Sequence, residues 1–327
     1  MALKMFLPLM KILTFVFSMK ILYSIDELPE VEALTITIGT FDGVHLGHME
    51  IINQLVELSK STGKESLLLT FDPHPRQALG DQQISLLTTL DEKIKLLKNT
   101  GLNYLMVLPF TKEFSSLTAD EFILDFLIAK LKVSEIIIGY DHRFGKGRVG
   151  DVFLLRQLFE LTNRKVHEIP AQDIDSIVIS STKIRNALKM GQIETANRLL
   201  GYNYRITGTV IKGKQLGKSL GFPTANIKPN SPFKLIPQDG VYVVHCIIEG
   251  RILKGMMNIG KRPTMNESVD SIIEVHLFDF NADLYDKAII IELLSWIREE
   301  QKFNGKEALI TQLINDETEA RLWLSAH

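Results

Sequence analysis

Between Leu34 and Leu200 short apolar runs alternate with stretches of helical periodicity, and this rhythm constrains the fold more than any other feature. LTITIG passes to LGHMEIINQLVELSK, ESLLLTF to a helix from Thr89, and YLMVLPF to a helix from Thr118. SEIIIG and DVFLLRQLFELTN follow, then KVHEIP and a final pair of short helices. TLDE at 89–92 and TADE at 118–121 have the Thr-x-x-Glu form of a capping box, which marks two helix starts independently of hydrophobicity. Repeated strand-helix units need crossover connections between parallel strands, so this region predicts a doubly wound α/β sheet.

After Gly201 the character changes. RITGTVIKG, GVYVVHCIIEG, RILKGMMNIG, SIIEVHLFDF and KAIIIELLSW read as strands separated by Gly, Asn and Pro rather than by helices. Only Gly305 to Trp323 has a helical pattern, so the second part predicts a small antiparallel β-barrel with a C-terminal helix. The chain has 327 residues, more than one domain of ~100–150 residues needs. Two domains are expected, 19–201 and 202–327, preceded by an extension over residues 1–18.

Charge and cysteine content narrow the function. With 37 basic and 39 acidic side chains the net charge is −2, which offers no chain-wide attraction to nucleic acid or an anionic membrane. Any anion site must be local. A single cysteine, Cys246, excludes an intrachain disulfide framework and a cysteine-only zinc site, and makes the cytoplasm the default compartment. The first 18 residues, MALKMFLPLMKILTFVFS, are apolar, but Lys11 splits them. They fall short of the ~20 residues that span a bilayer and lack a small-residue cleavage site. Met19 is an alternative start.

GTFDGVHLGH at 39–48 sits where the strand LTITIG hands over to a helix. In open α/β sheets ligands bind outside the carboxyl ends of the strands. Gly39 and Gly43 permit close backbone approach, while His45 and His48 share a face at the helix start, beside its unsatisfied N–H groups. That combination suits phosphate oxygens. A zinc pair is disfavoured, since catalytic zinc usually takes three protein ligands and no HExxH glutamate lies between the histidines. SSTKIR at 180–185 supplies an N-cap, Ser180 or Ser181, followed by Lys183 and Arg185 in the first turn. Cations there oppose the helix dipole unless an anion is bound. FDPHP at 71–75 and GYDHRFGKGRVGD at 139–151 follow two further strands and point to the same sheet edge, where Asp141 and Arg143 suit a nucleotide or an aromatic ligand.

In this order GTFDGVHLGH, FDPHP, GYDHRFG and SSTKIR resemble the nucleotidylyltransferase half of the bacterial bifunctional riboflavin kinase/FMN adenylyltransferases. The resemblance implies a Rossmann-like nucleotidylyltransferase domain. It assigns ATP binding to Gly39, Thr40, Phe41, Ser181 and Thr182, and charge stabilisation to His45, His48 and Arg185. Flavin binding falls to Phe71, Pro73, His74, Pro75, Asp141, Arg143 and Phe144.

In the second half, the glycines of GKQLGKSLGFPTANI at 213–227 permit a loop that folds over phosphates. Thr224 and Asn226 are two apart, so an extended segment projects both to one side, where a hydroxyl and a carboxamide oxygen suit Mg²⁺. Pro223 and Asn226 are equally compatible with a plain turn. In SIIEVHLFDF, Glu274 and His276 alternate with Ile273, Val275 and Leu277. Such a glutamate is a general base if a hydroxyl lies within reach, and otherwise only solvent-facing.

GKSLGFPTANI, DGVYVV, MNIGKRPT, EVHLFDF, DLYDK and the terminal helix are similar in order and spacing to the riboflavin kinase half of the same family. The resemblance implies that Thr224 and Asn226 bind Mg-ATP, that Gly213, Lys214, Gly217, Lys218 and Gly221 form the phosphate loop, and that Glu274 is the catalytic base. Relatives usually carry Arg where this chain has Lys218, which keeps the charge but loses the bidentate fork. The implied ligands are ATP, riboflavin, FMN and FAD with Mg²⁺, with no tightly bound organic cofactor, nucleic acid, membrane or obligatory protein partner. Two other readings stand beside it: a flavin-binding regulator without turnover, and an adenylyltransferase for another mononucleotide joined to an RNA-binding barrel.

Overall fold

The computed structural model describes residues 19–81, 84–140, 142–174, 177–213, 217, 220–261 and 271–327. Six strands form one parallel sheet: β1 (Lys20–Leu22), β2 (Leu34–Ile38), β3 (Glu65–Phe71), β4 (Tyr104–Leu108), β5 (Val133–Gly139) and β6 (Lys165–Ile169). Their spatial order is β1-β4-β3-β2-β5-β6. The order reverses at β2, which pairs with β3 on one side and β5 on the other, so the crevice beyond these strand ends is the switch point where ligands bind in such sheets. Successive side chains go to opposite faces, and both faces are covered. Leu67, Leu69 and Phe71 of β3 enter one core, with Ile36 and Met106, while Leu68 enters the other, with Leu105 and Ile137. The strand β1 lies outside the run that began at Leu34. At three residues it is too short to show a period, and its pairing with β4 defines it.

The helices of this half are α1 (Leu46–Thr62), α2 (Pro75–Ala78), α3 (Leu90–Leu97), α4 (Lys112–Ser116), α5 (Ala119–Glu121), which continues as a π-helical stretch over Phe122–Lys130, and α6 (Val152–Leu161). Both expected capping boxes form. Glu92 N donates to Thr89 Oγ1 at 3.3 Å while Thr89 N donates to the Glu92 carboxylate at 3.0 Å, and Thr118 with Glu121 repeats the arrangement. A two-stranded hairpin, β7 (Asp173–Ile174) and β8 (Ile177–Val178), leads into α7 (Ser181–Lys189) and α8 (Ile193–Leu200).

The second half is a closed antiparallel barrel: β9 (Arg205–Ile211), β10 (Ala225–Pro229), β11 (Gly240–Ile248), β12 (Arg251–Lys261), β13 (Ser271–Leu277) and β14 (Ala288–Glu299), in the order β10-β13-β12-β11-β14-β9. Alternation again sorts the side chains. Tyr242, Val244 and Cys246 fill the barrel, whereas Val243, Met256 and Leu294 face outward beneath the last helix, α9 (Lys306–Ala326). Burial pushes the Cys246 thiol well above its ordinary pKa, which removes it as a nucleophile. Asp316 of α9, almost wholly buried, accepts two hydrogen bonds from Arg298 at 2.8 and 2.7 Å and ties the helix to β14.

The chain leaves α8 at Gly201, whose φ of 81° is the left-handed cap that glycine adopts without a Cβ penalty. Ile184, Leu188, Ile193 and Leu199 of α7 and α8 nevertheless share one apolar core with Tyr204, Ile206 and Tyr242 of the barrel.

Candidate active sites

A cavity of about 640 Å³ opens at the carboxyl edge of the sheet, beyond β2 and β5. Gly39, Thr40, Phe41, His45, His48, Phe71, His74, Pro75, Arg143, Phe144, Ser181 and Thr182 all line it. Segments as far apart in sequence as Gly39 and Thr182 therefore meet in one place. Pro73 does not line it, and Asp141 lies outside the described residues. Two helix N-termini converge here, α1 after its N-cap His45 and α7 after its N-cap Ser180. Neither has an acidic residue in its first turn, so the positive end of each helix dipole is left for a ligand.

The two imidazoles stack, with ring centroids 3.6 Å apart and planes at 13°. His45 Nδ1 accepts from the backbone N–H of His48 at 3.3 Å, so that nitrogen is unprotonated and the proton resides on Nε2. His48 Nδ1 is buried and makes no hydrogen bond to the described residues. Burial pulls the pKa of His45 down to about 4 despite the nearby Asp42 carboxylate, and holds that of His48 well below the ordinary imidazole value, with the neighbouring ring adding to the effect. Both are neutral at pH 7. They can serve phosphate oxygens as N–H donors, while the helix ends supply the positive potential. His74, the N-cap of α2, is pulled down to about 4 by burial as well.

Arg185 is placed differently from the expectation that it faces the triphosphate. It is absent from the cavity wall, and its guanidinium is bound to the Asp42 carboxylate and, at 2.9 Å, to the Ser85 carbonyl. The physical reason is Asp42 itself, a buried carboxylate in the same GTFDGVHLGH loop, which needs a cation and two backbone donors. Leu87 N and Thr88 N supply the latter at 3.1 and 3.0 Å. Lys93 of α3 stands behind the same loop, outside the cavity wall, and was not among the residues expected from the sequence. Its Nζ donates to the Thr40 carbonyl at 2.6 Å and to Thr70 Oγ1 at 3.1 Å, and burial pulls its pKa down to about 8 against the pull of Asp42 and Asp72. No local pattern distinguishes it from the exposed Lys95 of the same helix.

The second site lies on the outer face of the barrel. Ile227 of β10 and Ile273 and Val275 of β13 point into the core, so Asn226 and Glu274 face outward, and the register sets them directly opposite each other. Glu274 also pairs with Asn258 of β12. Thr224 stands two residues before Asn226, just ahead of β10. The glycines before it make close approaches. A Cβ on Gly213 would overlap the Asn226 carboxamide, and one on Gly217 would overlap the Phe222 carbonyl and come within 3.2 Å of Thr224 Oγ1. Gly221 has φ of 85°. Lys214 and Lys218 lie outside the described residues. His276, on the same face as Glu274, donates from Nδ1 to the Pro223 carbonyl at 2.8 Å and so pins the segment that carries Thr224.

Among the described residues no group of three or more His, Cys, Asp and Glu side chains has the geometry to hold a metal. A site dominated by a hydroxyl and a carboxamide fits a hard ion that takes one or two protein oxygens and completes its shell with water and nucleotide phosphates, which is the habit of Mg²⁺. A parallel nucleotide-binding sheet with an anion cradle at its switch point, joined to a barrel that presents a carboxylate beside a polar oxygen cluster, defines a two-site phosphotransferase and nucleotidyltransferase.

Comparison with known proteins narrows this class. The FAD synthetase family model matches residues 28–183, and the riboflavin kinase family model matches residues 200–324. A bifunctional riboflavin kinase/FMN adenylyltransferase of Listeria monocytogenes is 37% identical over 92% of this chain and 95% of its own. Its Escherichia coli K12 counterpart is 36% identical over 92% and 95%. A solved Streptococcus pneumoniae structure described as a macrolide-efflux protein is 29% identical, with a TM-score of 0.84 over 93% of this chain and 98% of that one. Among the described residues no helix is long and apolar enough to cross a membrane. The chain belongs to the bifunctional riboflavin kinase/FMN adenylyltransferase family, with the adenylyltransferase half first and the kinase half second.

Proposed function

We propose that the two reactions are divided between the two sites: riboflavin is phosphorylated at the outer face of the barrel, and the resulting FMN is adenylylated in the 640 Å³ cavity of the sheet. ATP is the donor in both. In the barrel, Glu274 takes the proton of the ribityl 5′-hydroxyl, whose oxygen attacks the γ-phosphorus of ATP, and ADP leaves. Thr224 and Asn226 would hold Mg²⁺ together with the nucleotide, and the ion supplies charge neutralisation at the phosphates. Gly213 and Gly217 keep the loop backbone close enough to reach those phosphates.

In the cavity, a phosphate oxygen of FMN attacks the α-phosphorus of a second ATP, and pyrophosphate leaves. His45, His48, Ser181 and Thr182, with the starts of α1 and α7, donate hydrogen bonds to the triphosphate, so catalysis is positioning and electrostatic stabilisation without a covalent intermediate. Phe71, His74 and Phe144 offer rings and an imidazole to the flavin. Arg185 acts behind the loop, through Asp42. We divide the chain at 201 and 202, and assign both reactions to the cytoplasm, a reading supported by the one free, buried cysteine.

The observation that supports this reading is the Asn226–Glu274 register, which sets the two residues directly opposite each other on one face. The test is a time course with riboflavin, ATP and Mg²⁺ in which flavins, ADP and pyrophosphate are resolved. FMN with ADP should rise first and FAD with pyrophosphate should follow. FAD appearing with no FMN precursor would contradict the order of steps.

A further inference from the structure

The loop Thr40–Gly43, which leads into His45 and α1, is held from behind by groups that do not line the cavity. Lys93 binds the Thr40 carbonyl, Leu87 N and Thr88 N bind the Asp42 carboxylate, and Gly43 N donates to Thr88 Oγ1 at 3.0 Å. The Gly43 carbonyl accepts from the Tyr202 hydroxyl at 2.6 Å. Tyr202 lies in the part of the chain matched by the riboflavin kinase family, as does Lys234.

Lys234 grips the same loop at one remove. Its Nζ, at 2% side-chain exposure, donates to the Leu87 carbonyl at 2.6 Å and to Glu92 Oε2 at 2.7 Å. Leu86 and residues 233–235 form a β-bridge there, with Leu86 N donating to the Phe233 carbonyl at 2.7 Å and Leu235 N to the Leu86 carbonyl at 2.8 Å. Thr207 of β9 donates to the other Glu92 oxygen at 3.0 Å. Glu92 is also the capping residue of α3 and the neighbour of Lys93. A buried ion pair is a poor source of net stability compared with apolar packing, but it does define geometry. This one joins the barrel to the two backbone segments that set the loop.

We propose that Tyr202 and Lys234 of the kinase half are positioning residues for adenylyl transfer, setting the Thr40–Gly43 loop, and through it His45 and the start of α1, against the triphosphate. The proposal rests on the reading of the cavity as the adenylyl-transfer site. Burial, reinforced by Glu92 and Asp42, raises the Tyr202 pKa far above its ordinary value, so its hydroxyl stays protonated and remains a donor. Neither residue lies at the Asn226–Glu274 face, which is at the opposite end of β10 from Lys234.

The test compares full-length wild type, Tyr202→Phe, Lys234→Met combined with Glu92→Gln, and His48→Ala. Each is assayed for FAD formation from FMN and ATP and for FMN formation from riboflavin and ATP. Tyr202→Phe removes one hydrogen bond and should lower kcat/KM for ATP in FAD formation about three- to tenfold, with FMN formation within twofold of wild type. The paired variant, which leaves no buried charge uncompensated, should lower FAD formation tenfold or more with the same sparing of the kinase. FAD formation unchanged in both would overturn the proposal. A parallel loss of both activities with the thermal midpoint would also overturn it, by reducing the contact to stability. His48→Ala separates the two claims. If it keeps full FAD formation while Tyr202→Phe lowers it, the histidine assignment fails and the positioning role stands.

Discussion

At neutral pH the stacked pair His45 and His48 is uncharged, because burial costs an imidazolium its hydration and, for His48, the neighbouring His45 ring adds to that cost. In the proposed adenylyl transfer their contribution is therefore that of oriented donors rather than cations. His48→Ala should slow FAD formation from FMN by about 100-fold or more, the range for losing a preorganised donor at a charged transition state, while riboflavin phosphorylation continues and FMN accumulates. The same burial has a stability signature. With a folded pKa near 4 and an ordinary value of 6.5, His45 contributes stability that is fully present above 6.5 and is lost as pH falls toward 4. The loss amounts to as much as about 3 kcal/mol. Thermal unfolding between pH 7 and 4 should thus show a shallower decline for His45→Gln than for wild type, and an equal slope would show that His45 titrates normally. The spacing of the histidines was legible in the sequence, but their neutrality depends on the surrounding burial. The placement of Arg185 has a related origin. A first-turn arginine reads as an anion ligand, yet its partner Asp42 stands 143 positions away, and nothing local pairs them.

The elements of the sheet were legible because each carries its own signal: apolar runs for the strands, Thr-x-x-Glu for two of the helices. Strands β1 and β10 carry almost none. β10, ANIKP, is five residues ending in proline, and it exists as a strand because β9 and β13 flank it. Its position matters to the proposed kinase reaction, since it brings Asn226 across from Glu274 and against the backbone of Gly213. Gly213→Ala adds a methyl group where the Asn226 carboxamide already sits, so either the loop or the amide must move. FMN formation should fall at least about tenfold in kcat/KM for Mg-ATP, the cost of losing one or two hydrogen-bonded contacts, whereas FAD formation from supplied FMN should be unaffected. Steady-state kinetics of the two reactions on one preparation checks this. An unchanged kinase would remove the Gly213–Asn226 contact from the nucleotide site.

At the scale of the whole molecule, the change of rhythm near Gly201 announced two architectures, and the structure has both, a doubly wound sheet and a closed barrel with α9 on its outside. Sequence patterning did not reveal how tightly they are joined. The apolar faces of α7 and α8 are amphipathic in the ordinary way and do not declare which core they enter, and it is the barrel core that they share. Lys234, Glu92 and Thr207 likewise read singly as surface residues and become a buried junction only when residues 86–93 meet 207 and 233–235. In the proposed function each chemical step is nevertheless confined to its own half. The most direct measurement is Glu274→Gln supplied in turn with riboflavin and with FMN, each with ATP and Mg²⁺, and followed by chromatography. Loss of a general base should reduce FMN formation from riboflavin by at least about 100-fold and leave FAD formation from FMN at the wild-type rate. Loss of both reactions, or retention of both, would contradict it.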